Sequence, residues 1–109
     1  MTAHLGDLEQ LVLLALLRLG PDAYGVAIGD EIEHRAGRPV TVGAVYKTLT
    51  RLEDKGLVAS RIGEPTPERG GRRKRHYHLL PAGRRALTGS LDAIRRLAEG
   101  LAELRVGES

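Results

Sequence analysis

Between Thr41 and Val58 the chain holds a set of side chains suited to touching a nucleic acid. At helical spacing Ala44, Lys47, Thr48 and Arg51 share one face, all of them short, hydrogen-bonding or cationic. Val42, Val45, Leu49 and Leu52 recur on the other face at intervals of three, four and three, an apolar stripe for a core. A small residue such as Ala44 allows close approach to a base pair, while Lys and Arg reach guanine edges or phosphates. Thr41 can cap this helix through its hydroxyl, and Gly56 can end it in the left-handed conformation. A second cationic group follows: Arg69, Arg72, Arg73, Lys74 and Arg75 place five cations within seven residues. They follow Pro65 and Pro67 and bracket the Gly70-Gly71 pair, the signature of a loop. Such a run is either a phosphate clamp or a solvated loop.

Other chemistries find less support. The chain of 109 residues has no cysteine, which excludes disulfides and thiolate metal sites. His76 and His78 point to one face of a strand, but spacing supplies no third metal ligand, and they can equally face phosphate or solvent. Ser60, Ser90 and Ser109 sit in no nucleophile-elbow context, and neither a Gly-rich phosphate loop nor a paired carboxylate stands out. No catalysis, cofactor or metal is expected. The longest apolar run, Leu11–Leu17, is seven residues, far short of the ~20 that span a bilayer. The start, MTAHLGDLEQ, has no basic region and does not read as a signal peptide, so a cytoplasmic protein without membrane contact is expected. Net charge is +3 overall, but it is −3 over residues 1–40, +5 over 41–80 and +1 over 81–109. Of the 17 cations 14 are Arg, whose planar fork suits phosphate and guanine.

The elements that must carry these groups read as helices around one hairpin. Asp7 is placed to cap a first helix, with Gln10 to return a capping-box bond. From Leu8 to Leu19 that helix is apolar almost all round, with Leu11, Val12, Leu13, Leu14, Leu16 and Leu17 unable to share one face. In so small a domain this predicts a second chain over the far side. Asp22 is placed to cap a second helix from Ala23 to about Arg35, stopped by Gly37 and Pro39. The Thr41–Val58 helix then stands second in a helix-turn-helix. Leu57–Gly63 and Arg75–Leu80 read as strands of a hairpin whose loop is too long for a tight turn, a wing. Pro81 suits the first turn of a last helix. Leu87, Leu91, Ile94, Ala98 and Leu101 follow there as a heptad-like seam, widened by Leu97 and Leu104. Leu11 and Leu14 with Leu91, Ile94, Leu97, Leu101 and Leu104 are the candidate dimer contacts. The fold class is therefore mainly α with a small β-hairpin: a winged helix-turn-helix over residues 5–80 and a C-terminal dimerisation helix over 81–105.

Five stretches taken together resemble the PadR family of transcriptional regulators. They are LGDLEQLVLLALL (Leu5–Leu17), AYGVAI (Ala23–Ile28), GAVYKTLTRLEDKGLV (Gly43–Val58), ERGGRRKRHYHL (Glu68–Leu79) and PAGRRAL (Pro81–Leu87). The resemblance implies a winged-helix dimer, usually a repressor. It implies that Tyr46, Lys47 and Arg51 face DNA, that Arg69–Arg75 is the wing, and that Leu91–Leu104 helps build the dimer. Leu80 stands where the family commonly has Thr before Pro-Ala-Gly, which implies a last helix that frays or starts late. No aromatic follows Tyr77, which argues against an effector held there by stacking. The expected function is sequence-specific regulation on double-stranded DNA by a homodimer at an inverted repeat. The competing reading is a winged helix used for protein–protein contact alone. RNA binding is disfavoured, since surface aromatics for stacking bases are few.

Overall fold

Helix α1 (Asp7–Leu19) starts one residue earlier than its acids suggest, because Gly6 and not Asp7 is the cap. The Glu9 carboxylate reaches back and accepts the Gly6 N–H at 2.8 Å. Gln10 is used elsewhere, accepting the Ser90 hydroxyl at 2.9 Å. These placements, and all that follow, come from a computed structural model that describes residues 4–63 and 74–104. A 3-10 turn over Gly20–Asp22 leads to α2 (Gly25–Ala36), which begins after Tyr24 rather than at Ala23. Asp22 does not cap it, for a tertiary reason. Tyr24 is extended beside the hairpin, where the Ala23 carbonyl accepts the Tyr77 N–H at 2.9 Å and Tyr24 bridges to His76. Gly37 ends α2 at φ +66°, a conformation other residues adopt at a cost.

Helix α3 (Val42–Asp54) follows, and the Thr41 hydroxyl accepts the Ala44 N–H at 3.1 Å, the cap read from sequence. Strands β1 (Val58–Ile62) and β2 (Arg75–Leu79) pair antiparallel, with Val58 opposite Leu79 and Ile62 opposite Arg75. The core lies among α1, α2, α3 and the inner face of the hairpin. Leu13, Ile28, Leu49, Leu52, Val12, Val45 and Val58 are its largest fully buried apolar side chains, and Tyr77 closes it beneath β2. With no Phe or Trp in the chain, aliphatic side chains do nearly all of this packing.

Helix α4 (Pro81–Ala98) departs from expectation at both ends. Leu80 offers no side-chain cap, yet the helix starts at once at Pro81. Its first turn is held by the backbone, because the Leu57 carbonyl accepts the Leu80 N–H at 2.9 Å. Gly83 presses on the same carbonyl so closely that a Cβ there would lie 2.1 Å from its oxygen. At the far end α4 stops at Ala98, Glu99 is extended and Gly100 takes φ +82°. Leu101 and Leu104 therefore do not continue a helical seam; they lie in the turns beyond it. Leu91, Ile94 and Leu97 on the helix are exposed, as are Leu14 and Leu17 on α1. Leu11 differs from these, being partly buried against the core.

Candidate nucleic-acid interface

On α3, tertiary packing sorts the predicted side chains into two groups. Ala44 is half-buried, while Lys47 and Arg51 are exposed on the outer side. Thr48 does not join them. It is 1% exposed, because it stands between Val45 and Leu52 at the margin of the buried stripe. Its hydroxyl donates to the Ala44 carbonyl at 2.8 Å. Val42 departs the other way: expected in the core stripe, it is 48% exposed, since at the first turn α1 and α2 no longer cover it. Tyr46 belongs to both surfaces. It is 39% exposed, yet the hydroxyl end of its ring lies against Gly25, where a Cβ would come within 2.3 Å of a ring carbon. The glycine that opens α2 is thus the seat of the tyrosine of α3.

The two cations on the outer face are held differently. Among the described residues Lys47 makes no ion pair. Arg51 is fixed at two points: it donates to the Thr48 hydroxyl at 3.4 Å, and its Nε lies 3.9 Å from the Glu9 carboxylate. Lys55, one turn further, donates to both Glu9 oxygens at 2.8 and 3.0 Å and to the His4 carbonyl at 3.2 Å. Glu9 itself is 5% exposed. Burial alone raises its pKa, but the Lys55 ammonium, the Gly6 N–H and the Arg51 charge outweigh it, and the carboxyl is held below the ordinary glutamate value. Sequence patterns do not reveal this cluster, because its partners are 46 residues apart for Lys55. In the linear chain Glu9 reads as one more acid near a helix start.

At the wing, Lys74 lies over the Tyr24 ring with its Nζ 4.2 Å from the centroid, a cation–π contact that ties the hairpin to the start of α2. Arg75 reaches toward α3: it donates to the Ser60 hydroxyl at 3.0 Å, which donates to the Glu53 carboxylate at 2.8 Å. Arg69, Arg72 and Arg73 lie outside the described residues. The two histidines part company. His76 Nδ1 sits 2.9 Å from the Pro21 carbonyl with its ring edge-on to Tyr24, whereas His78 is exposed. His76 therefore staples the turn after α1 to the hairpin. The described part of the site is thus a helix face bearing Ala44, Lys47 and Arg51, capped by Thr41, with Lys74 and Arg75 on the hairpin as the described cations of the wing. Cationic side chains presented in this way can contact phosphates.

Known proteins share these features. The profile of the transcriptional regulator PadR-like family matches residues 13–89. A transcriptional regulator of Mycobacterium tuberculosis is 38% identical over 79 residues, 71% of this chain and 67% of that protein. An uncharacterized 37.1 kDa protein in a transposon of Streptomyces fradiae is 39% identical over 92 residues, 84% of this chain. This chain spans only 24% of that protein's length. Among solved structures, a PadR family transcription regulator from Clostridium difficile superposes with a TM-score of 0.70 at 28% identity, covering 84% of this chain and 91% of that one. Four helices around an antiparallel hairpin, the profile match over most of the fold and the mycobacterial relative agree: this chain belongs to the PadR-like family of transcriptional regulators, which are not enzymes.

Proposed function

We propose that the chain is a sequence-specific repressor that binds double-stranded DNA as a homodimer at an inverted repeat. The observation that carries this reading is the outer face of α3, where Lys47 and Arg51 stand exposed beside Ala44 on a helix anchored by its buried stripe. In the major groove, Lys47 and Arg51 reach base edges or phosphates, Ala44 permits close approach, and Tyr46 and Thr41 border the backbone. Thr48 acts indirectly, as the hydroxyl that steadies Arg51. Lys74 and Arg75, with Arg69, Arg72 and Arg73, supply phosphate contacts from the wing. Residues 5–80 form the DNA-binding unit and 81–105 the dimerisation segment. The support for the dimer is the exposed apolar set Leu14 on α1, Leu91, Ile94 and Leu97 on α4, and Leu101 and Leu104 just beyond it, with α1 and α4 joined by the Gln10–Ser90 hydrogen bond. Two copies would set their α3 helices ~34 Å apart, one turn of duplex. A cytoplasmic site of action accords with this role, and among the described residues no helix is long and apolar enough to cross a membrane.

Selection of bound sequences from a random duplex library, repeated at two salt concentrations, tests the reading. The expected result is enrichment of an inverted repeat that persists at the higher salt. Recovery of unrelated sequences whose binding fades with salt would reduce the protein to a nonspecific polycation. No recovery at either salt would favour the protein-contact reading.

A further inference from the structure

We propose that Glu9, on the first turn of α1, is a positioning residue for base discrimination: its carboxylate aims the Arg51 guanidinium that α3 presents to DNA. This rests on the reading of Arg51 as a DNA contact. Three observations lead there. Glu9 is 6% exposed at its side chain, while the two cations above it, Arg51 and Lys55, are 59% and 37% exposed. The negative charge thus lies beneath the edge of the presented face rather than on it, and does not itself repel phosphate at the surface. Next, its oxygens divide the work. Oε1 accepts from Gly6 and Lys55, while Oε2 accepts from Lys55 at 2.8 Å and faces Arg51 Nε at 3.9 Å. Finally, Thr48 Oγ1 gives the same guanidinium a second hold at 3.4 Å. Two contacts on one planar group, one of them to a buried charge, narrow the directions that a free arginine would sweep, and a pre-aimed donor loses less freedom on meeting a base. Arg51 and Lys55 are also one turn apart, a spacing at which like charges push each other aside. Glu9 offsets that push, leaving the Arg51 guanidinium within reach of Thr48.

The alternative is that Glu9 only fastens α1 to α3. The two separate on operator discrimination, the ratio of affinities for the selected sequence and its single-base variants. Glu9→Gln keeps an oxygen for the Gly6 N–H and removes the charge. Because it leaves Lys55 unpaired, Glu9→Gln with Lys55→Gln is made beside it as a charge-neutral pair. Arg51→Ala sets the scale. The expected result is about a tenfold fall in discrimination for Arg51→Ala. A fall of similar size is expected for both Glu9 variants, with little further loss when either is combined with Arg51→Ala and with binding to random duplex unchanged. If Arg51→Ala loses discrimination while both Glu9 variants keep it, Glu9 is a fastener and the inference is overturned. If Arg51→Ala itself loses none, the assignment of Arg51 as a DNA contact fails first and takes the inference with it.

Discussion

The outer faces of α3 and α4 make opposite use of exposure. On α3 most polar or aromatic groups at the surface are tied to something beneath: Thr41 to the Ala44 N–H, Tyr46 to the Gly25 backbone, Arg51 to Thr48 and Glu9. Such a face is finished before any partner arrives, as recognition of a rigid groove demands. On α4 the first turn is equally fixed, by Gly83 and Leu80 against Leu57, but the helix then runs out with Ile94 53% and Leu97 83% exposed. Its ion pairs, Arg95 with Asp92 and Glu99, join side chains that are all exposed, unlike the buried Glu9 beneath Arg51, and contribute little. One face is complete without a partner; the other leaves apolar side chains open, the surface that the proposed dimer would bury.

The sharpest way to break that contrast is to charge the unfinished face. Ile94→Glu with Leu97→Glu is expected to give a monomer by sedimentation at micromolar concentration. Loss of the linked second half-site then lowers operator affinity on the order of 100-fold, read in a binding titration. A variant that stays dimeric would move the interface to another surface. The next effect tests the finished end of the same helix. Gly83→Ala drives a methyl into the Leu57 carbonyl and is expected to cost about 3 kcal/mol in denaturant unfolding, at the upper end for overpacking. A loss below about 0.5 kcal/mol would mean that the first turn of α4 slides freely.

Much of this was legible in the linear sequence where one element supplies its own evidence. Helix α3 declares itself through Thr41, Gly56 and the stripe of Val45, Leu49 and Leu52, and the structure keeps all of these roles. The gaps arise where a distant element decides. Thr48 sits at the margin of the stripe, and its burial depends on how α1 and α2 cover that margin. The late start of α2 depends on β2, whose Tyr77 draws Ala23 into pairing across 54 residues of chain. In the sequence Gly83 is only one residue of the Pro-Ala-Gly stretch, and its close approach to Leu57 is visible only in the fold. Of the candidate site, Lys47 and Arg51 were legible from periodicity, whereas Glu9 and Lys55 required the fold.

A smaller effect is expected at the wing, where the proposed contacts are with phosphate and carry no sequence information. Arg72→Ala with Arg73→Ala should weaken binding to every duplex, roughly tenfold at moderate salt, and leave discrimination intact. The slope of log affinity against log salt should flatten by about one unit for each lost contact. An unchanged slope would remove these two arginines from the interface and leave the outer face of α3 to carry the affinity.

The last prediction turns on Glu9 without any DNA. Its folded-state pKa is lowered, so the carboxylate contributes stability that is fully present above the ordinary glutamate value. That contribution is lost as pH falls through the lowered value, where the folded state must at last take up the proton. Glu9→Gln cannot titrate, so its deficit relative to the parent is largest near neutral pH and shrinks on acidification. Lys55 is partly exposed, which keeps the neutral-pH deficit to about 1 kcal/mol. Urea unfolding of both proteins across this acid range measures it. A deficit that stays constant with pH would assign the loss to packing around the first turn of α1. A deficit that closes would show that the charge beneath the outer face of α3 is what joins α1 to α3.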